Sequence, residues 1–121
     1  MERKSTGQLG ENIAREYLKK KGYNILEKNY RCREGEVDII ARKGEYLVFV
    51  EVRTRTNQNF GIPEESINID KVRHLLVAAN HYLQQKRRAD CAWRIDVVAI
   101  ELTRDNGVKR IELIENAVEG R

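Results

Sequence analysis

The hydrophobic pattern at the start of the chain has helical spacing. It predicts a first helix over residues 5–21, because apolar residues recur on one side of that segment. Ser5 and Gln8 have the spacing of an N-terminal capping box, and Gly22 follows as a stop signal. The predicted apolar stripe consists of Leu9, Ile13, Tyr17 and Leu18.

Two glycines lie inside this predicted helix, close to Glu11. A glycine in a helix interior costs about 1 kcal/mol relative to alanine, so Gly7 and Gly10 need a structural reason. Together with Ala14 they surround Glu11 with small residues. We therefore expect another backbone to approach the helix closely at this point.

Strand-like spacing follows. Residues 23–30 form a short β-like run, and residues 31–35 form a charged turn. The next two runs, GEVDIIAR and YLVFVEVRTR, are rich in β-branched and aromatic residues and flank a short turn, which predicts a β-hairpin. Residues 47–50 are all apolar, so the second of these strands is predicted to be central and buried on both faces.

The second half of the chain returns to a helix and then to strands. Polar residues with Gly61 and Pro63 predict a mobile loop over residues 56–63. The remaining predicted elements are a helix from Asn68 or Asp70 to Gln85, a buried strand over 93–102 and a last strand over 110–117. The order α-β-β-β-α-β-β predicts an α/β fold, with a mixed sheet flanked by helices in one domain over residues 1–121.

Composition and charge narrow the classes of partner. The net charge of +4 and the pI near 9.2 favour anionic partners such as nucleic acid, with simple solubility as an equally weighted alternative. Basic clusters at helix ends suit the helix dipole, but Arg53 and Arg55 end a strand and have no such reason. No apolar leader or membrane span appears, and Cys32 and Cys91 lack metal-ligand spacing, so a cytoplasmic protein with reduced thiols is expected.

A group of charged residues lies on the predicted hairpin. Residues two apart in a strand share a face, so Glu51 projects with Arg53, and Asp38 projects with Glu36 and Ile40. If the hairpin register places Asp38 beside Glu51, their mutual repulsion would be relieved by a hard divalent cation such as Mg²⁺.

Two further carboxylates, Glu11 and Asp96, have separate predicted roles. Glu11 could complete the site from the first helix, because small residues would let that helix press against the sheet. The alternative for Glu51 with Arg53, and for Asp38 with an arginine, is a plain salt bridge at a strand end. For Asp96 we expect a structural pairing with Arg94 or with a helix end.

Several segments together resemble a known family. The helix GQLGENIAREYLKKKGY, the strands GEVDIIAR and LVFVEVRTR, and the later RIDVVAI resemble the uncharacterised bacterial YraN family, in the same order and across nearly the whole chain. That family is similar to the restriction-endonuclease-like superfamily, with its PD-D/E-x-K signature, and to archaeal-type Holliday junction resolvases. The resemblance implies a restriction-endonuclease-like mixed sheet with helices on both sides and a metal-dependent phosphodiesterase site.

The resemblance assigns roles to individual positions. It places the signature aspartate on Asp38, the second acidic residue on Glu51, and the glutamate of the first helix on Glu11. The signature lysine falls on Arg53, which is a departure, because arginine stays protonated and binds phosphate better than it serves as a base. Val37 stands where the superfamily often has proline.

The favoured hypothesis is a metal-dependent nuclease acting on DNA, including branched or single-stranded substrates. Asp38 and Glu51 would bind Mg²⁺ or Mn²⁺, and Glu11 would act as a further ligand or as a base that positions water. Alternatives are a non-catalytic nucleic-acid-binding module of the same fold and an interaction protein with a solvated charged surface. A homodimer is considered because resolvase-like nucleases cut two strands. The predicted nucleic-acid-binding residues are Arg53, Arg55, Arg31 and Arg33.

Overall fold

The computed structural model describes residues 2–56, 68–87 and 91–118. Its seven elements follow the predicted order α-β-β-β-α-β-β, which confirms the mixed α/β architecture. In chain order they are α1 (Glu2–Lys20), β1 (Asn24–Cys32), β2 (Gly35–Lys43), β3 (Tyr46–Arg55), α2 (Ile69–Gln85), β4 (Trp93–Leu102) and β5 (Val108–Ile114).

One sheet contains all five strands in the order β1-β2-β3-β4-β5. Neighbouring strands are antiparallel except β3 and β4, which run parallel. Parallel neighbours need a crossover, and α2 lies in the segment between them. The predicted hairpin is confirmed, since Lys43 pairs with Tyr46 and Ile39 pairs with Val50.

Each face of the sheet carries its own hydrophobic core. The α1 side buries Ala14 and Leu18 against β3 residues such as Val48 and Val50. The α2 side buries aliphatic and aromatic residues of the helix against Leu47, Phe49 and other strand residues. The run from Leu47 to Val50 is no more than 1% exposed, which confirms a central strand covered on both faces.

Some element boundaries differ from those predicted. α1 begins at Glu2, so a start capped by Ser5 is wrong; the preceding residues Glu, Arg and Lys are themselves good helix formers. β5 spans Val108–Ile114 instead of 110–117. It ends where Asn116 adopts a φ of 50° and the Ala117 amide donates to the Ile95 carbonyl instead of continuing the ladder.

The two helix glycines have different surroundings. A Cβ on Gly10 would lie 2.1 Å from Thr54 Oγ1, so α1 does approach β3 closely. The group in contact is a side chain, not the expected backbone. A Cβ on Gly7 would meet nothing within 4 Å, and no contact explains that glycine.

Three further predictions have different outcomes. Nearly all of the predicted loop over 56–63 lies outside the described residues. Within the described part of the chain, no helix has the length and apolar character that crossing a membrane requires. Cys32 and Cys91 are free thiols, as expected.

Candidate functional site

The site is built where β2 separates from β3. The pairing of these strands extends only to Ile39 opposite Val50, and in the same register Asp38 would face Glu51. Beyond that pair, Asp38 Oδ2 accepts a hydrogen bond from the backbone N–H of Val52 at 2.8 Å. The Asp38 carboxylate therefore accepts the hydrogen bond that a backbone carbonyl would accept in a regular sheet. This bond holds Asp38 against β3.

The side-chain alternation of β2 breaks at this position. Val37 contacts the α2-side core, whereas Ile39 contacts the α1-side core, although a regular strand would place both on one face. The common face predicted for Glu36, Asp38 and Ile40 is therefore wrong. The opposing residue of β1 is Asn29, whose φ of 53° lies in the left-handed region that asparagine tolerates better than most residues. Both strands are irregular here.

Glu51 is the buried carboxylate of the pair, with 7% of its side chain exposed. It lies on the same face as Arg53, whose Nη1 donates to Glu51 Oε2 at 3.0 Å. Lys71, in the first turn of α2, places its Nζ 3.7 Å from the same oxygen. The predicted convergence of Glu51 and Arg53 is thus present, and a second cation joins it from the helix.

Asp38 lies in an environment that disfavours its charge. Burial and the nearby negative charge of Glu51 raise the pKa of Asp38 to about 8, with smaller contributions from Glu11 and Glu36. The hydrogen bond from Val52 opposes this shift by stabilising the ionised form. An added cation would therefore stabilise the ionised carboxylate.

Glu11 approaches the same region from α1. Burial raises the pKa of Glu11, and the charges of Glu36 and Glu51 contribute in the same direction. Arg15 and a hydrogen bond from the Asn29 side chain act against this rise. Glu11 therefore interacts electrostatically with the strand carboxylates, as expected when the helix presses against the sheet.

An open cleft of about 300 Å³ adjoins Glu51. It lies between the β1–β2 turn and the first two turns of α2, which touch at Gly35. A Cβ at Gly35 would lie 2.1 Å from the backbone oxygen of His74, so only glycine allows this approach. Basic and acidic residues lining the cleft include Arg31, Arg33, Glu36, Glu51, Lys71 and His74.

The predicted nucleic-acid-binding arginines occupy different places. Arg31 and Arg33 line the cleft, and Arg31 is ion-paired with Glu36 at 3.2 Å. Arg53 lies beside Glu51. Arg55 lies at the end of β3, where it is in register with Glu101 of β4. Three of the four arginines thus surround one site.

Lys71 was not found by sequence reasoning. A signal for it does exist, because a helix that links two parallel strands begins near the carboxyl end of the first strand. The first turn of α2 therefore had to return towards the end of β3, where Glu51 and Arg53 lie. Glu36 was noticed only as a neighbour of Asp38, although it reaches both Asp38 and Glu11 electrostatically.

Among the described residues, the oxygen donors that suit a small divalent cation are a pair of carboxylates. Across residues 2–56, 68–87 and 91–118, no three His, Cys, Asp or Glu side chains are grouped so as to hold a metal ion. Magnesium sites commonly use one or two carboxylates, completed by water and by substrate phosphate. Asp38 and Glu51 supply such a pair, and a hard cation would relieve the repulsion by which Glu51 helps to raise the pKa of Asp38.

Asp96, which is fully buried on β4, belongs to a separate hydrogen-bond network. Arg94 Nε donates to Asp96 Oδ1 at 3.0 Å, which confirms the predicted pairing. The hydroxyl of Tyr23 donates to Oδ2 at 2.8 Å, and the amide of Asn116 donates to Oδ1 at 2.9 Å. This carboxylate is held by donors on several sides and has a structural role.

Comparisons with known proteins identify relatives along nearly the whole chain. The model of the family described as "Uncharacterised protein family UPF0102" matches residues 10–100. A UPF0102 protein of Caldicellulosiruptor saccharolyticus is 46% identical over 117 residues, covering 97% of this chain and 99% of the relative. A UPF0102 protein of Moorella thermoacetica is 46% identical over 117 residues, covering 97% and 98%. A UPF0102 protein of Geotalea daltonii is 47% identical over 116 residues, covering 96% and 91%.

Proposed function

We propose that this chain, which belongs to the uncharacterised protein family UPF0102, is a divalent-metal-dependent phosphodiesterase that cleaves DNA. Its membership of UPF0102 confirms the resemblance to the YraN family. The family description names no activity, so the proposal depends on the site. Branched or single-stranded DNA in the cytoplasm is the proposed substrate.

The observation that carries the proposal is the pair formed by Asp38 and Glu51. Glu51 is buried and Asp38 is partly buried, and the negative charge of Glu51 acts on Asp38 where β2 leaves β3. Burying like charges together is unfavourable for folding, so a site that retains them needs a compensating function or cation. A bound Mg²⁺ or Mn²⁺ would supply that cation.

The residues around this pair have distinct roles in the proposed reaction. Asp38 and Glu51 would hold the ion, which when bound polarises a phosphate and lowers the pKa of a bound water. Arg53, permanently charged and planar, stabilises negative charge on the phosphate but does not accept a proton. Glu11, whose pKa is raised by burial, would accept a proton from the attacking water.

The surrounding cleft supports nucleic acid as the substrate. Arg31 and Arg33 lie on its rim, at the β1–β2 turn, where they can contact the phosphates flanking the one that is cleaved. The net charge of +4 adds a general attraction for polyanions.

The test is a cleavage assay on linear, single-stranded, flapped and four-way DNAs with Mg²⁺ or Mn²⁺. Wild-type protein is expected to cut at least one substrate. Asp38→Asn and Glu51→Gln should lower the rate by at least about 100-fold, because a missing ligand removes the metal. Glu16→Gln, which neutralises a glutamate whose side chain is 69% exposed, serves as the matched control and should retain wild-type activity.

Two outcomes would contradict the proposal. Equal cleavage by wild type and by both site variants would identify a contaminating nuclease. If no substrate were cleaved with either metal, non-catalytic binding of nucleic acid would be the function that is left.

A second candidate function is non-catalytic binding of nucleic acid by the same surface. It is favoured by the ion pairs that Arg53 and Lys71 make with Glu51, which neutralise this carboxylate without any metal. This alternative predicts DNA affinity that falls with added salt, needs no divalent ion and is accompanied by no cleavage. Affinity that does not change with salt would exclude it.

A further inference from the structure

Lys71 lies beside Glu51, but the proposed reaction gives it no role. Its Nζ lies 3.7 Å from Glu51 Oε2, the same oxygen that accepts a hydrogen bond from Arg53 at 3.0 Å. A distance of 3.7 Å exceeds that of a hydrogen bond, so the contact between Lys71 and Glu51 is one of charge attraction. Of the two cations on Glu51, Lys71 is the more weakly attached.

The exposure of the two cations gives the same ranking. The Lys71 side chain is 37% exposed, whereas that of Arg53 is 25% exposed. Lysine carries its charge on a flexible four-carbon stem, and arginine presents a rigid planar group. Lys71 can therefore leave Glu51 at a smaller cost than Arg53.

The backbone of Lys71 is fixed while its side chain is free to move. Asn68 caps α2, and its Oδ1 accepts a hydrogen bond from the Lys71 amide at 3.0 Å. A change in the position of Nζ thus requires only rotation within the side chain. Lys71 also lines the 300 Å³ cleft beside Arg31 and Arg33, so an ammonium that leaves Glu51 stays within that cleft.

We infer that Lys71 is an exchangeable counter-ion of Glu51, which pairs with the carboxylate when the site holds no metal ion and turns to a phosphate in the cleft when it does. The inference rests on the proposed function, because it takes Glu51 as a metal ligand. It assigns Lys71 as a positioning residue and gives α2 a direct role in the site. It also means that Lys71 competes with the divalent ion.

The direct test is Mn²⁺ affinity, measured by electron paramagnetic resonance at constant ionic strength. Lys71→Met should bind Mn²⁺ three- to tenfold more tightly than wild type, because the competing ammonium is gone. Lys71→Arg keeps the charge and should lie within twofold of wild type. The matched control is Lys86→Met, because Lys86 caps the opposite end of α2 and likewise pairs with a glutamate, Glu27, at 3.8 Å. Its Mn²⁺ affinity should be unchanged.

A second measurement tests whether the Lys71 ammonium binds phosphate when the site holds a metal ion. The affinity for a short single-stranded oligodeoxynucleotide in the presence of Ca²⁺ should fall three- to tenfold in Lys71→Met and stay unchanged in Lys86→Met. A purely structural ion pair would alter stability but neither affinity.

The results separate the inference from the proposed function. Wild-type Mn²⁺ binding that is lost in Asp38→Asn, together with unchanged or weaker binding in Lys71→Met, would overturn the inference and leave the metal site standing. Equal enhancement in Lys71→Met and Lys86→Met would also overturn it, since general charge would then be the cause. If Asp38→Asn bound Mn²⁺ as wild type does, the proposed function itself would fail.

Discussion

Two aspartates of the same sheet, the buried Asp96 and the partly buried Asp38, lie in opposite environments. Asp96 of β4 is fully buried and accepts hydrogen bonds from Arg94, Tyr23 and the Asn116 amide. Asp38 of β2 accepts a hydrogen bond from the Val52 amide. The pKa of Asp38 is raised most by burial and next by the negative charge of Glu51.

The difference separates a structural carboxylate from a functional candidate. Around Asp96 the hydrogen-bond donors and the charge of Arg94 offset the cost of burying the carboxylate. Around Asp38 the fold places further carboxylates, which stabilises the protonated form instead. Groups whose environment opposes their ordinary charge concentrate at functional sites.

The largest expected effect comes from removing the structural carboxylate. Asp96→Ala should lower the free energy of unfolding by about 3–5 kcal/mol, because the largely buried Arg94 guanidinium loses its shortest ion pair, and the Tyr23 hydroxyl and the Asn116 amide lose their acceptor. Urea denaturation at pH 7 measures this loss. Glu45→Ala, in the exposed turn between β2 and β3, is the control and should change stability by less than about 0.5 kcal/mol. A loss below about 1 kcal/mol for Asp96→Ala would remove the contrast between the two aspartates.

A smaller effect of opposite sign is expected at Asp38. Its pKa is raised in the folded state, so between about pH 4 and pH 8 the folded protein keeps a proton that the unfolded chain has lost. The contribution of Asp38 to stability is therefore complete below its unfolded pKa and is lost as pH rises towards 8. In metal-free buffer, Asp38→Asn should stabilise the protein by about 1–3 kcal/mol at pH 8 and have little effect at pH 4.

Denaturation curves of wild type and Asp38→Asn across this pH range provide the check. The gap between the two proteins should widen steadily from pH 4 to pH 8. If Asp38→Asn were destabilising at pH 8, Asp38 would be a favourable structural carboxylate like Asp96, and the case for a metal site would be lost.

Much of the fold followed from local pattern. The strand over Trp93–Leu102 was predicted with its observed bounds, because a segment rich in apolar and β-branched residues lies there between polar turns. The pairing of β2 with β3 followed from the hairpin, whose short turn at Gly44 fixes a register that ends one residue before Asp38 and Glu51. These features depend on residues that are close in sequence.

The unpredicted features depend on tertiary approach. The positive φ of Asn29 and the break in alternation at Asp38 arise where β2 turns away from β3, and no spacing rule signals that point. Lys71 meets Glu51 only because the crossover returns α2 to the end of β3. The contact of Gly35 with the His74 backbone likewise joins elements far apart in the chain.

The most direct test of the central claim is Mn²⁺ binding at pH 8, where Asp38 can ionise. Wild type and Glu16→Gln should bind the ion with the same affinity, and Asp38→Asn and Glu51→Gln should each bind it at least tenfold more weakly. Equal affinity in all four proteins would contradict a metal site between these two carboxylates.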